Sequence, residues 1–207
     1  MRKIGIVSGL SPESTILYYR TIVKEYRRRF KSEGYPDVII YSVNFEKFTK
    51  ALMEGRSNNA FNIILGAIEA LHRAGADFAL ISANTLHIFF DELVTKSPIP
   101  LINIIDALAE ELLRDCVKIV GLLGTKVTLT HNFYVKGLSK YGIKVVLPRD
   151  ADVDLINRVI YEELVKGVIK RESREAVIDV IRKLKSEGAE GIALACTELP
   201  LLIRVVS

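Results

Sequence analysis

The sequence predicts an α/β protein with parallel sheets flanked by helices, arranged as two similar halves. Short runs rich in β-branched residues alternate with longer segments of helical periodicity, which is typical of parallel βαβ units. The second half of the chain also repeats the pattern of the first half. With 207 residues, 49% of them hydrophobic and 26% charged, the chain is long enough for two small lobes and has a globular composition.

The predicted elements fill the chain without a linker. The first helix is expected to begin after Ser11, because an N-cap serine is followed by Pro12 and the acidic Glu13. Strands are predicted at residues 4–7, 38–42, 78–82, 119–123, 144–147 and 192–195. Further helices are predicted at residues 60–74, 106–116, 132–141, 153–168 and 174–187. We expect one lobe over residues 1–100, with part of the C-terminal segment packed on it, a second over residues 101–207, and a ligand site between them.

The internal repeat singles out two positions. The run 3–9 resembles the run 118–124, and the run 75–86 resembles the run 188–199. This match makes Ala83 and Cys196 equivalent. Each follows the carboxyl end of a predicted strand, where open parallel sheets bind their ligands.

Cys196 is the predicted reactive group. It precedes Thr197 and Glu198 at a strand-to-helix turn, where backbone N–H groups can lower a thiol pKa below its free value of ~8.5. Such a sulfur can act as a base or a nucleophile, the alternative being a small buried core residue. Glu198 either polarises the site, accepts a substrate ammonium group, or serves the helix dipole. Cys116 is expected only to pack at the end of a helix.

Three turns at the same predicted sheet edge suit an anion, because they combine hydroxyls, an amide and free N–H groups. The alternative is that each turn caps its own helix. The turns are Ser8-Gly9-Leu10-Ser11, Asn84-Thr85 and Gly124-Thr125-Lys126-Val127-Thr128. Among the histidines, His87 either reaches this edge or packs behind it, His72 lies on a helix surface, and His131 begins a helix.

Composition and motifs exclude several functions. The net charge of +4 comes from 29 basic residues interspersed with 25 acidic ones, which gives no basic stripe for a nucleic-acid partner. No apolar run approaches the ~20 residues of a membrane helix, and no signal peptide is expected, so we predict a cytoplasmic protein. The two distant cysteines argue against a disulfide. Neither GxGxxG nor GxxxxGK[ST] occurs and no metal-ligand spacing is present, so we expect no NAD, ATP or metal.

Four stretches resemble motifs of the aspartate/glutamate racemase family, whose members work without pyridoxal phosphate or another cofactor. They are residues 4–15, 75–87, 122–128 and 188–199, in the family's order. The resemblance implies two pseudo-symmetric Rossmann-like lobes related by a pseudo-twofold axis, a homodimer, and an acidic amino acid held between the lobes. The runs 42–45 and 11–15 are similar to the branch specific for L-aspartate or L-glutamate.

The same resemblance assigns roles to individual residues. Cys196 matches one of the family's two catalytic cysteines, and Ala83 stands at the position of the other. The family's α-carboxylate ligands match Asn84 and Thr85 on one side and Thr125 and Thr197 on the other. The predicted substrate-binding set is completed by Ser11, Thr128 and Glu198.

Ala83 is the main departure from the family pattern, because a methyl group cannot carry a proton. The second proton then comes from Ser82, Thr85, His87 or water, or the activity is one-sided or absent; an engineered Cys-to-Ala change is the other explanation. A single-cysteine decarboxylase or cis-trans isomerase of the same superfamily, or a non-catalytic carboxylate-binding protein, are the alternative functions. The resemblance also implies a further strand and helix beyond the chain end at Ser207.

Overall fold

The computed structural model describes residues 2–31 and 33–203, and the chain divides into two compact units after Ile104. The boundary expected from the sequence lay at residue 100. Each unit is an α/β body with its own parallel sheet, which confirms the predicted fold class. Residues 204–207 lie outside the described residues. The further strand and helix that the family resemblance implies would follow them.

The first unit contains a four-stranded parallel sheet of order β2-β1-β3-β4. Its strands are β1 (Ile4–Ser8), β2 (Val38–Ser42), β3 (Phe78–Ile81) and β4 (Leu101–Ile102). Its helices are α1 (Pro12–Phe30), α2 (Phe45–Met53), α3 (Ser57–Arg73) and α4 (Phe90–Lys96), with a 3₁₀ helix at Thr85–Phe89.

The second unit contains a three-stranded parallel sheet of order β6-β5-β7. Its strands are β5 (Ile119–Gly124), β6 (Lys144–Val146) and β7 (Gly191–Ala195). Its helices are α5 (Ile104–Arg114), α6 (Lys126–Thr130), α7 (Phe133–Ser139), α8 (Asp150–Arg158), α9 (Arg171–Ser186) and α10 (Leu199–Leu202). A π-helical turn at Val159–Glu163 and a 3₁₀ turn at Leu164–Lys166 follow α8.

The start of α1 follows the predicted local chemistry. Ser11 has extended backbone angles, and its hydroxyl oxygen accepts a hydrogen bond from the Ser14 N–H at 3.3 Å. Pro12 occupies the first helical position. A backbone N–H at this position has no acceptor within the helix, so proline loses no hydrogen bond there. The Ser11 cap therefore fixes where the chain leaves β1 and turns into the helix.

The two units repeat the same contact between their first and third strands. The residue of the first strand that makes this contact is shifted by one from the sequence match. In the first unit the Lys3 N–H donates to the Asp77 carboxylate at 2.5 Å, and the Asp77 N–H donates to the Lys3 carbonyl. In the second unit Glu190 accepts from the N–H groups of Lys118 at 2.6 Å and Ile119 at 3.1 Å, and only with Ile119 is the bond reciprocal, because the Glu190 N–H donates to the Ile119 carbonyl. Lys3 therefore corresponds to Ile119, whereas the sequence match had paired it with Lys118.

Some predicted elements differ from the observed ones. The single helix expected over residues 153–168 is divided into α8, the π-helical turn and a 3₁₀ turn that ends at Gly167 with φ of 72°. The short elements β4, α2, α4, α6 and α10 had not been predicted. Such segments are too short for periodicity to distinguish them from loops.

Each unit has its own aliphatic core. In the first unit, α3 presents Ile64, Ile68 and Leu71 at spacings of three and four residues, and all three are fully buried with Val7 of β1. In the second unit, Leu123 of β5 packs with buried side chains of α8 and α9. Burying each such side chain stabilises the fold by about 1.5–3 kcal/mol. No helix in the described part of the chain is both long and apolar enough to cross a membrane.

Candidate active site

Strand register brings Thr125 and Cys196 together at the carboxyl edge of the second sheet. Gly124 of β5 pairs with Ala195 of β7, so the residues that follow the two strands are neighbours. A Cβ atom on Gly124 would lie 3.2 Å from the Ala195 carbonyl oxygen and 3.2 Å from the Thr128 side chain. Glycine therefore allows the turn after β5 to lie directly against the end of β7.

The Cys196 thiol is paired with a carboxylate. Its Sγ donates to Glu198 Oε2 at 3.1 Å, and the Thr197 hydroxyl donates to the same oxygen at 2.9 Å. Cys196 is 8% exposed and Glu198 is 9% exposed. A buried carboxylate oxygen thus accepts two hydrogen bonds from its own tripeptide.

The surroundings of Cys196 raise its thiol pKa to about 12. Burial is the largest cause, and the charge and hydrogen bond of Glu198 add to it. Hydrogen bonds from the backbone N–H groups of Glu198 and Leu199 act in the opposite direction, as the sequence analysis expected, but they are outweighed. The prediction of a lowered pKa is therefore wrong, because it counted the backbone N–H groups of the turn and not the burial of the thiol or the charge of Glu198 beside it.

Tyr161 is a further titratable group beside this pair, and the sequence analysis missed it. It lies in the π-helical turn after α8 and is half exposed. Burial raises the pKa of its phenol, and the charges of Cys196 and Glu198 raise it further. The inner residues of the same turn, Val159 and Ile160, pack in the core cluster that contains Cys196. A change from α to π hydrogen bonding leaves no periodic signal in the sequence, although such turns are frequent at functional sites.

Thr125 and Thr128 form a buried hydroxyl pair next to Cys196. Their Oγ1 atoms are 3.0 Å apart, and Thr125 Oγ1 also accepts from the Thr128 N–H at 3.3 Å. Thr125 is the N-cap of α6, so the capping alternative considered for this turn is present. Capping also orients the Thr125 hydroxyl at the sheet edge, where it was predicted to bind a carboxylate.

Serines lie at the carboxyl ends of three neighbouring strands of the first sheet: Ser8 and Ser42 are the last residues of β1 and β2, and Ser82 follows β3. Ser8 pairs with Ser42, and the Ser82 N–H donates to the Val7 carbonyl at 2.9 Å. The Ser82 hydroxyl donates to that same carbonyl at 3.3 Å, and the Ser8 hydroxyl donates to the Tyr41 carbonyl at 3.4 Å. These buried hydroxyl protons are therefore directed to the backbone of their own sheet.

Ala83, Asn84 and Thr85 follow this row of serines and are all partly exposed. They lead directly into the 3₁₀ helix, which begins at Thr85. The turn after β1 packs closely on the Val43 backbone. Gly9 in this turn has φ of 102°, and a Cβ there would collide with that backbone. The first sheet edge thus presents Ala83 with the Asn84-Thr85 pair, and Ser11 caps α1 after the same turn.

His87 packs behind Ala83. It is 3% exposed, it stacks on Phe90, and its Nδ1 lies 3.0 Å from the Ala83 carbonyl oxygen. Its Nε2 accepts the Ile104 N–H at 3.3 Å, so the proton of the neutral ring is on Nδ1. Burial lowers the His87 pKa to about 4, and the hydrogen bonds of the neutral ring hold the Ala83 carbonyl in place.

The remaining predicted residues lie outside these clusters. His72 is exposed on α3, as predicted. His131 follows the last residue of α6, two residues before α7. Cys116 is exposed with φ of 58°, so the prediction that it packs in the interior is wrong. In the described residues, no group of three or more His, Cys, Asp or Glu side chains could hold a metal ion.

Comparison with known proteins places the chain in a family. The family model described as Asp/Glu/hydantoin racemase matches residues 7–207. The chain belongs to this family. The broad-specificity amino-acid racemase RacX of Bacillus subtilis (strain 168) is 24% identical over 209 residues, which cover 95% of this chain and 85% of RacX.

Solved structures of family members are similar along almost the whole chain. An aspartate racemase homologue from Pyrococcus horikoshii OT3 is 43% identical, with a TM-score of 0.85 over 99% of this chain and 89% of that one. The Picrophilus torridus aspartate racemase is 25% identical, with a TM-score of 0.72 over 98% of this chain and 84% of that one. The four motif stretches therefore lie in a chain whose fold and family are those of the amino-acid racemases.

Proposed function

We propose that this protein is a cofactor-independent racemase or epimerase of an acidic amino acid, aspartate or glutamate, that acts by proton transfer between Cys196 and the substrate Cα. The observation that carries the proposal is the buried hydrogen bond from Cys196 to Glu198 at the carboxyl end of β7. The names of RacX and of the Picrophilus torridus aspartate racemase support an amino-acid substrate. Cys196 would meet the bound ligand on one face.

The chemistry requires charge stabilisation as well as a base. The Cα proton of an amino acid is a very weak acid, so donors must stabilise the negative charge that develops when it leaves. We assign carboxylate binding to Asn84 and Thr85 from the first unit, and to Thr125 and Thr197 from the second. Ser11, Thr128 and Glu198 complete the proposed substrate-binding set, in which Glu198 would accept the substrate ammonium group and not its carboxylate.

Because Ala83 cannot carry a proton, the proposed reaction is one-sided: a cysteine is available on only one face of the substrate. Ser82 directs its hydroxyl to the Val7 carbonyl, and His87 directs Nδ1–H to the Ala83 carbonyl, so neither proton points away from the first sheet. Thr85 or a water molecule is then the better second donor. We expect exchange of the Cα proton with solvent to be faster than interconversion of the two enantiomers. The homodimer, the cytoplasmic location and the independence of pyridoxal phosphate belong to the same proposal.

The test is Cα exchange in deuterium oxide, without added cofactor. L- and D-aspartate and L- and D-glutamate are incubated separately, and loss of the Cα proton is followed by NMR. We expect exchange for at least one of the four, and Cys196→Ala should abolish it, with Cys116→Ser as the control that keeps it. The proposal fails if none of the four shows exchange or calorimetric binding.

A single-cysteine decarboxylase or cis-trans isomerase is the second candidate, favoured by the one thiol at a sheet edge and by the methyl group at position 83. Turnover of a malonate or of maleate without Cα exchange of amino acids would select it.

A third candidate is a carboxylate-binding protein without activity. Tight carboxylate binding that is unchanged by Cys196→Ala would select that function.

A further inference from the structure

We propose that Glu198 and Cys196 share one proton, and that Glu198 takes the thiol proton as the sulfur takes the substrate Cα proton. This inference rests on the proposed function and gives Glu198 a role that differs from binding substrate. It makes Glu198 a positioning and proton-accepting residue that acts through Cys196.

The geometry provides a direct path for the proton. Cys196 Sγ and Glu198 Oε2 are 3.1 Å apart, and both side chains are less than one-tenth exposed. The two residues are separated only by Thr197, so their spacing is fixed by the turn that follows β7. Thr197 donates to the same carboxylate oxygen at 2.9 Å, which holds that oxygen toward the sulfur.

Charge explains why the proton is shared and not released to solvent. A thiolate beside an ionised Glu198 would place two negative charges within hydrogen-bonding distance in a buried site. If the thiol proton moves to Glu198 instead, the pair carries a single negative charge until the sulfur takes the Cα proton, and that charge then lies on the substrate. The route to a reactive sulfur at neutral pH is therefore transfer within the pair.

The protons balance along this route. The S–H bond of Cys196 breaks and an O–H bond forms on Glu198, leaving a thiolate and a carboxylic acid. The thiolate electron pair then forms a new S–H bond with the Cα proton, and the electrons of the broken C–H bond stay on the substrate. Exchange of the acidic proton of Glu198 or of the thiol with deuterium oxide, followed by the reverse steps, delivers deuterium to Cα.

Tyr161 is the neighbouring titratable group that interacts electrostatically with both members of the pair. Its phenol pKa is raised by burial and by their charges, so it stays protonated when the pair carries its negative charge. Changes in thiol reactivity near neutral pH can then be assigned to the pair and not to Tyr161.

The test compares thiol alkylation with Cα exchange in Glu198→Gln. Both are measured in a Cys116→Ser background, because Cys116 is exposed and would also react with iodoacetamide. Removing the carboxylate charge should lower the thiol pKa and speed alkylation of Cys196 at least tenfold at pH 8, on the order of one pKa unit. The same change should slow Cα exchange at least a hundredfold, on the scale of a lost general base.

Two further variants control the experiment. Glu162→Gln makes the same substitution at an exposed position of the π-helical turn and should change neither rate. Glu198→Asp keeps the charge, so alkylation should stay slow while part of the exchange activity remains. Circular dichroism and thermal unfolding confirm that each variant is folded; if Glu198→Gln does not fold, Glu198→Asp must still show slow alkylation with partial exchange.

The outcomes separate this inference from the proposed function. Unchanged alkylation in Glu198→Gln overturns the pair, and faster exchange in that variant shows that Glu198 only suppresses the thiol. A third outcome is faster alkylation in Glu198→Gln while the protein with Glu198 exchanges no Cα proton. That outcome overturns the proposed function and the transfer step, and it leaves the charge coupling between Glu198 and Cys196 in place.

Discussion

The carboxyl edges of the two sheets have the same topology but hold their protons in opposite ways. At the first edge the hydroxyl of Ser82 and the ring of His87 donate to backbone carbonyls, which are poor bases. At the second edge Cys196 and Thr197 donate to a carboxylate, which is a far better proton acceptor. The first edge thus directs its protons to weak acceptors and the second edge to a strong one, and the proposed proton transfer depends on that difference.

Ala83→Cys should produce the largest effect, because it would make the first edge resemble the second. A thiol at position 83 would supply a proton donor on the opposite face of the ligand. We expect enantiomer interconversion to rise on the order of 100-fold or more. Chiral chromatography of the products measures it, and Ala83→Ser serves as the control with a much weaker acid. Unchanged interconversion would show that position 83 does not face the ligand.

Gly9→Ala tests the rigidity of the first edge. The positive φ and the collision of a Cβ with the Val43 backbone should cost about 3 kcal/mol or more in free energy of unfolding. The control is Gly66→Ala within α3, where a Cβ meets open space and should stabilise the fold by about 1 kcal/mol. Denaturant unfolding of both variants makes the comparison. Equal stability of the two would contradict the tight turn.

His87 should make the stability of the first unit depend on pH. The folded pKa of about 4 lies below the ordinary 6.5, so only the unfolded chain takes up this proton between those values. Stability is therefore full above pH 6.5 and falls as the pH drops to 4, by about 3 kcal/mol from the pKa difference. Unfolding measured at several pH values should show a shallower slope in His87→Asn. The same slope in both proteins would rule out this assignment.

Ser82→Ala should have the smallest effect. It removes one buried hydrogen bond to the Val7 carbonyl and should lower the free energy of unfolding by about 1 kcal/mol. Cα exchange should not change, because the Ser82 proton is directed to the backbone. A large loss of exchange with little loss of stability would instead identify Ser82 as the second proton donor.

Local patterns predicted much of the scaffold. The strands around the two edges and the Ser11 cap of α1 follow from short-range signals within a single unit, whereas the equivalence of Ala83 with Cys196 stays a prediction. The pKa shift of Cys196 could not be predicted, because it depends first on how deeply the thiol is buried and then on its contact with Glu198, and neither can be inferred from the turn sequence alone. Tyr161 was missed for a similar reason, since its place beside the pair depends on a π-helical turn. Substrate-binding roles of Asn84, Thr85, Thr125 and Thr197 stay predictions.

The acidic residue before the last core strand of each unit has an evolutionary consequence. Asp77 and Glu190 each tie the start of the first strand to the start of the third, and each does so entirely within its own hundred or so residues. A duplicated copy of such a half keeps this contact between its first and third strands. Selection could then change the ligand-facing end of one copy while the opposite end of the sheet preserved its architecture.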